Sequence, residues 1–387
     1  MEKIPVQGND YLVLFDQKTN NNSMNVQYPS QGGSGESQVS KDDAELLKML
    51  AQARPNIAVV GAGGSGCNTL NRLFELGIEG ASVLAVNTDV QHLLRIKADR
   101  KILIGKELTK GMGAGSNPSI GENAAKESMN DIENILSGYN MVFITCGLGG
   151  GTGTGCSPIL AELAKKKNNA LTVAIVTLPF ISEGRTRMKN ALEGLEKLRK
   201  SVDTVIVIPN DKLLSIAPDL PLNTAFKVCD EVLASSVKGI TELVTKVGMV
   251  NLDFADLKTI LTDAGCAVIG VGESSVDVKA NQRALVATET ALNSPLLDVD
   301  ISSADRALIN VVGGEDMTLN EAEMIVSEVA KRISPSSHII WGSRVERNLD
   351  KNSLRVLIVI AGTKCPKYDL EKIMGSNDND IDLDLVG

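Results

Sequence analysis

From residue 57 onward, short apolar runs at 57–60, 83–86, 141–145, 171–177 and 205–208 are each followed by a Gly-rich or polar turn and then a helical stretch. This alternation leaves few architectures open. Parallel strands need a crossover between them, and a helix on each crossover covers the faces of the sheet. Runs that stay apolar, rather than alternating with polar residues, fit strands buried on both sides. The first half of the chain is therefore predicted as an α/β unit built on a doubly covered parallel sheet.

Between residues 223 and 246, Phe226, Leu233, Val237, Ile240 and Val244 recur at three- and four-residue steps. That spacing predicts one long buried helix joining two domains. Beyond it, strands are expected at 266–271, 307–312, 338–341 and 354–360, with helices at 278–292 and 319–332, making a smaller second α/β unit. The boundaries that follow are an arm at 1–41, a first domain at 42–222 led by a short helix at 42–53, the central helix at 223–248, the second domain at 249–365, and a tail at 366–387.

Composition sets the two ends apart. Residues 17–41 are rich in Asn, Ser, Gln and Gly and bury too little apolar surface to offset ordering entropy, so a disordered arm is expected. Ahead of them, the short run from Tyr11 to Phe15 reads as a docking strand or a partner-binding peptide. It is too short for a signal peptide and is bracketed by Asp10 and Asp16. The tail is acidic and closes on Ile381-Asp382-Leu383-Asp384-Leu385-Val386, an alternation that suits an extended peptide adding to a partner's sheet edge. A plain solvated end is the other reading.

Charge and cysteine usage exclude several function classes. With 39 Lys and Arg against 48 Asp and Glu, a formal charge of -9, there is no broad basic field for nucleic acid or an anionic membrane. No apolar stretch is long enough to insert into a bilayer. The six cysteines form no C-x-x-C pair, and the two histidines, His92 and His338, are far apart. This pattern predicts a reducing, cytoplasmic setting and no protein metal site.

An acidic small ligand must then be held by local dipoles, and the glycine loops can supply them. Gly61-Ala62-Gly63-Gly64-Ser65-Gly66-Cys67-Asn68 follows a strand and opens a helix, which lets backbone N–H groups point at a phosphate. Alone, this loop also satisfies G-x-G-x-x-G, and Asp89 ends the next strand where a nicotinamide-dinucleotide site would place its ribose acid. A second loop, Gly147-Leu148-Gly149-Gly150-Gly151-Thr152-Gly153-Thr154-Gly155, precedes a helix predicted to carry Pro158 in its first turn. Its glycines form a nest of N–H groups, and the hydroxyls of Thr152 and Thr154 add donors. A third small-residue loop, Gly111 to Pro118 with Ala114 and Gly115 at its centre, is placed to close over a terminal phosphate or to be a surface turn. Three such loops imply a polyphosphate ligand. The lysine-containing P-loop is absent, because Gly105-Lys106 is followed by Glu107.

These loops, in this order, resemble the FtsZ family of tubulin-like cell-division GTPases. The likeness runs from about residue 57 to about residue 362. It includes Asn87-Thr88-Asp89, Pro179-Phe180, Glu183-Gly184, Arg187-Met188, Ile208-Pro209-Asn210-Asp211-Lys212-Leu213, Asn251-Leu252-Asp253-Phe254-Ala255-Asp256 and Asn293-Ser294-Pro295-Leu296-Leu297. The resemblance implies a Rossmann-like GTPase domain, a long central helix and a smaller C-terminal domain. It also implies binding of GTP and GDP, with Mg2+ held mainly by phosphate oxygens and water.

By the same resemblance, Gly64, Ser65, Gly66, Cys67, Ala114, Gly115, Gly150, Gly151, Thr152, Gly153 and Thr154 surround the phosphates. Phe226 stacks on the base, Asp230 accepts from guanine N1–H and the exocyclic amine, and Asn68 meets the base edge. Glu183 and Arg187 are placed at the sugar, although an exposed i, i+4 ion pair would account for the same two residues. Asp253 and Asp256, supported by Asn251, are expected to act on the attacking water in the pocket of the next subunit; in isolation the two acids read as helix caps.

A site shared between chains implies a head-to-tail filament of the protein with itself, and a division ring beneath the membrane at mid-cell. Ser65 and Cys67 stand where many relatives have glycine, and both are small enough for the turn. The long arm and acidic tail look more like the archaeal branch, with residues 381–386 the expected contact for a membrane-tethering protein. The alternative functions are a GTP-binding regulator that does not assemble and, more remotely, a nicotinamide-dependent dehydrogenase.

Overall fold

The computed structural model describes residues 12–14, 25–27, 55–214, 221–246, 248–274, 277–297, 299–346, 349–350 and 352–363 of the 387-residue chain. The helix expected at 42–53, most of the arm, Cys365 and the tail with its 381–386 motif lie outside the described residues. In the arm, β1 (Leu12–Leu14) pairs antiparallel with β2 (Asn25–Gln27), opposing Val13 to Val26. β2 is a short strand inside the stretch that composition predicts to be irregular.

From Pro55 on, the strands are β3 (Ile57–Ala62), β4 (Ala81–Asn87), β5 (Arg100–Leu103), β6 (Met141–Gly147), β7 (Leu171–Leu178), β8 (Thr204–Pro209), β9 (Gly265–Ser274), β10 (Arg306–Gly313), β11 (His338–Val345) and β12 (Leu354–Thr363). They form one ten-stranded sheet in the order β11-β10-β12-β9-β8-β7-β6-β3-β4-β5. β3, β6 and β7 are buried along almost their whole length, which is why their sequences are apolar on both faces. The sequence reading misses β5, an edge strand whose first two residues, Arg100 and Lys101, are exposed. Charge on an edge strand blocks further pairing and also hides the strand from an apolar-run search.

β3 to β8 are parallel throughout. Their order makes the winding reverse between β3 and β6, and such a reversal opens a crevice beyond the C-terminal strand ends. The sheet does not stop where the first domain was expected to end. β9 pairs in parallel with β8 from Thr204–Gly265 to Ile206–Ala267. Past β9 the sheet becomes mixed, with β12 antiparallel to both β9 and β10 and β11 parallel to β10.

The central helix, Leu222–Thr245, has 24 residues and so spans about 36 Å. Leu233, Val237 and Ile240 are fully buried along it, each contributing roughly 1.5–3 kcal/mol of burial. At its far end the Thr245 hydroxyl donates to the Glu79 carbonyl at 3.2 Å, two residues ahead of β4. That end therefore lies at the N-terminal ends of the parallel strands. Glu242 is buried there and ion-paired to Arg344 and, at 3.0 Å, to Lys246, partners that a buried carboxylate requires. The Asn310 amide donates to the Gly239 carbonyl at 3.1 Å, tying the helix to β10.

Cys67, Cys146, Cys156 and Cys229 are buried free thiols. Cys266 is disulfide-bonded, a departure from the reduced pattern that the spacing predicts. Among the described residues, no helix is long and apolar enough to cross a membrane.

Candidate functional site

β3 ends at Ala62 and the helix Gly63–Glu75 begins at the next residue, with no side-chain cap. The helix Thr152–Glu162, whose N-cap is Gly151, also lacks a side-chain cap. Helix starts leave N–H groups without intrahelical acceptors and carry partial positive charge. Two such starts flank the crevice between β3 and β6. The helix Pro118–Glu127 differs, because the Asn117 carboxamide accepts the Ser119 N–H at 3.0 Å. An anion is the partner that the two uncapped starts call for.

The three glycine loops converge on this crevice. A Cβ at Gly63 would lie 2.6 Å from the Gly153 nitrogen, and one at Gly151 would lie 2.8 Å from the Ala114 Cβ and 2.9 Å from the Asn117 nitrogen. Gly64 and Gly150 are different. A Cβ at either would meet nothing within 4 Å, and neither has a positive φ. Packing within the chain therefore does not demand glycine at these two positions, and the missing Cβ leaves their backbone open to close approach.

Side chains around the loops divide into supports and open groups. The Thr88 and Thr152 hydroxyls are 2.6 Å apart. Thr154 is buried and its hydroxyl accepts the Gly149 N–H at 2.8 Å, which staples the loop and leaves the hydroxyl proton to donate. Cys67 is fully buried with Sγ towards the Gly61 and Val86 carbonyls, and burial pushes its thiol up to about 12. Only its backbone can serve a ligand. Ser65 is half-buried, Gly66 and Ala114 are buried, and Gly115 is exposed. Pro158 lies inside its helix, not in the first turn, because the helix starts at Thr152.

At the other side of the crevice, the start of the central helix presents Phe226, 37% exposed. Its ring packs edge-on against the buried Phe180 at 5.3 Å between centroids and 79° between planes. One turn on, the Asp230 carboxylate receives the Thr69 hydroxyl at 3.4 Å. Desolvation pushes its carboxyl up to about 7, against the opposing effect of that hydrogen bond. Asn68 is exposed and its Oδ1 lies 3.0 Å from His92 Nε2.

Glu183 uses one oxygen to accept the Phe180 N–H at 2.8 Å and the other to pair with Arg187 at 3.1 Å. This is the i, i+4 pair that composition favours. Thr69 and His92 are given no role by the sequence reading, and Phe180 enters it only within the Pro179-Phe180 motif, because each is placed by a partner more than twenty residues away.

Asn251, Asp253 and Asp256 are not brought to this crevice. They follow the far end of the central helix, where the Asn251 Oδ1 accepts the Gly248 N–H at 2.6 Å. Asp253 caps the helix Phe254–Leu261, and its carboxylate accepts the Asp256 N–H at 2.8 Å while Asp256 accepts the Asp253 N–H at 3.0 Å. The helix-cap reading of the two acids therefore describes their contacts in the single chain. Asp89 also caps a helix, accepting the His92 N–H at 3.0 Å. Among the described residues, no group of three or more His, Cys, Asp or Glu side chains is placed to hold a metal.

Two family models match the chain, the Tubulin/FtsZ family GTPase domain over residues 56–218 and the FtsZ family C-terminal domain over residues 265–364. Cell division protein FtsZ 1 of Methanocaldococcus jannaschii is 56% identical over 329 residues, covering 85% of this chain and 89% of that protein. FtsZ 1 of Thermococcus kodakarensis is 56% identical over 324 residues, covering 84% and 85%. An empty FtsZ dimer from M. jannaschii superposes with a TM-score of 0.78 at 56% identity, covering 84% of this chain and 92% of that one. A GTPγS-bound protofilament of CetZ2 from Haloferax volcanii, at 21% identity and a TM-score of 0.71, covers 82% and 96% and shares the fold.

Proposed function

Because the chain belongs to the FtsZ family, and is a GTPase of cell division with the tubulin-like fold, we propose that it assembles head to tail and hydrolyses GTP between adjacent subunits. The observation that carries this reading is the separation of two half-sites. The glycine loops, Phe226 and Asp230 gather at one end of the central helix, while Asn251, Asp253 and Asp256 sit just past the other, about 36 Å along it. One chain cannot bring its own acids to its own crevice. A second copy stacked end to end can, and a contact between unlike ends repeats without closure into a filament.

In this reading the N–H groups of Gly64, Ser65, Gly66 and Cys67, with those of Gly150, Gly151, Thr152 and Gly153, hold the phosphates. Ala114, Gly115 and the stapled Thr154 shape the third side. Phe226 stacks on guanine, Asp230 accepts from its N1–H and amine, and Glu183 and Arg187 exchange their mutual pair for the sugar. Asp253 and Asp256, held by their own helix start, orient and polarise the attacking water of the neighbouring subunit. Mg2+ accompanying the triphosphate would be held mainly by phosphate oxygens and water, with no side chain of this chain assigned to it, and would supply charge neutralisation there. Mid-cell placement beneath the membrane, through a tethering protein that takes residues 381–386, completes the proposal.

Phosphate release from GTP with Mg2+, followed across a wide range of protein concentration beside light scattering, tests it. Activity per chain should be negligible below a threshold, rise together with scattering, and be absent with ATP. Activity independent of concentration would place the catalytic group within one chain, and binding without scattering would favour a regulator that does not assemble.

A further inference from the structure

We infer that His92 fixes the polarity of the Asn68 amide and so adds to the discrimination of guanine from adenine. The inference rests on the reading that Asn68 faces the base. Three side chains form a relay from the strand end to the crevice. Asn87 is buried at the end of β4, and its Oδ1 accepts the Thr88 N–H at 2.8 Å and the Asp89 N–H at 3.3 Å. With that oxygen spent on two backbone donors, the Asn87 amide cannot flip. Its Nδ2, a donor only, faces His92 Nδ1 at 3.2 Å.

Two donors cannot share one hydrogen bond, so Nδ1 must accept, and the neutral ring carries its proton on Nε2. Nε2–H then donates to Asn68 Oδ1 at 3.0 Å. Asn68 is left with its amino group facing solvent at the crevice. The ring itself is placed by its own backbone, since the His92 N–H is held by the Asp89 helix cap at 3.0 Å and the neighbouring Leu93 is buried.

A locked donor fits guanine at O6, an acceptor, whereas N3 and N7 accept in guanine and adenine alike and so carry no distinction. Adenine offers an amino group in place of O6, and two donors would then meet. An Asn68 free to rotate would turn its oxygen to that amino group and relax the distinction. His92 is thus a positioning residue that acts through Asn68.

The test is the ratio of GTP to ATP affinity in the wild type, His92→Phe, His92→Gln and Asp230→Asn. Phenylalanine keeps the ring and removes both nitrogens, and the ratio should fall about tenfold, the effect of one mispaired polar group. Glutamine keeps a donor and should restore most of it. Equal weakening of both nucleotides, or an unchanged ratio, overturns the inference.

Asp230→Asn separates this from failure of the base site. If that variant leaves the ratio intact, the base lies elsewhere; if it collapses the ratio while His92→Phe does not, only the role of His92 is lost. Nitrogen NMR of the imidazole in the unaltered chain gives a check that needs no variant: a proton on Nδ1 instead of Nε2 overturns the relay.

Discussion

Asp253 and Asp256 cap one another, each carboxylate accepting the other's backbone N–H, at 2.8 and 3.0 Å. The pair that is proposed to act on a neighbour's water is therefore already oriented before any neighbour arrives. A capping box spends one oxygen of each carboxylate and leaves the second available, so positioning and chemistry do not compete.

Asn caps a helix about as well as Asp but cannot polarise water as a carboxylate does. Asp253→Asn should therefore keep thermal stability and GTP affinity while lowering assembled turnover by about a hundredfold or more. Asp253→Ala should in addition destabilise the chain by about 1 kcal/mol. Calorimetry, nucleotide binding and phosphate release distinguish the two, and equal loss of binding and turnover in Asp253→Asn would contradict a shared site.

If Asp230 accepts from the base as proposed, nucleotide affinity should depend on pH. Its folded value of about 7 lies above the ordinary ~3.9 of an unfolded aspartate. Between these values the folded nucleotide-free chain holds the extra proton, so its stability falls as pH rises through that window and levels off above it. Guanine donors favour the carboxylate, so binding below about pH 7 must expel the proton. Affinity for GTP should rise up to about tenfold per pH unit towards neutrality and flatten beyond it. Titration calorimetry in buffers of different ionisation enthalpy reports the released proton directly, and Asp230→Asn should flatten the profile.

Two glycines two residues apart in the first loop should behave oppositely. A Cβ at Gly66 would lie 2.2 Å from the Thr145 carbonyl oxygen, whereas one at Gly64 would meet nothing within 4 Å. Gly66→Ala should destabilise the fold by about 1–3 kcal/mol. Gly64→Ala should leave stability within about 0.5 kcal/mol and weaken GTP by about tenfold or more, because the methyl group enters the space a phosphate needs. Thermal unfolding without nucleotide, set beside GTP titration, reads both. Unchanged GTP affinity in Gly64→Ala would place the phosphates elsewhere.

Much of the fold, and the glycine loops of the candidate site, was legible because it is written in local periodicity. Runs apolar on both faces marked β3, β6 and β7, and three- and four-residue steps marked the central helix. Glycine clusters between strand and helix marked the loops, since only a backbone free of Cβ permits those approaches. These signals depend on neighbours within a few residues. β5 stayed hidden because Arg100 and Lys101 face solvent at the sheet edge, and Pro158 was misplaced because nothing local tells a nest from a helix's first turn.

What only the tertiary structure decided depends on residues far apart in the chain. The packing of Gly63 on Gly153 and of Gly151 on Ala114 joins the three loops, and the β8–β9 pairing carries one sheet through both halves. Burial raises Asp230, and a histidine at position 92 reaches Asn68 across two elements. Desolvation and hydrogen-bond direction are properties of surroundings, not of spacing. Local pattern in the sequence determined most of the elements and where the glycine loops fall between them; long-range packing decided that the acids at 253 and 256 lie a helix length away from the crevice between β3 and β6.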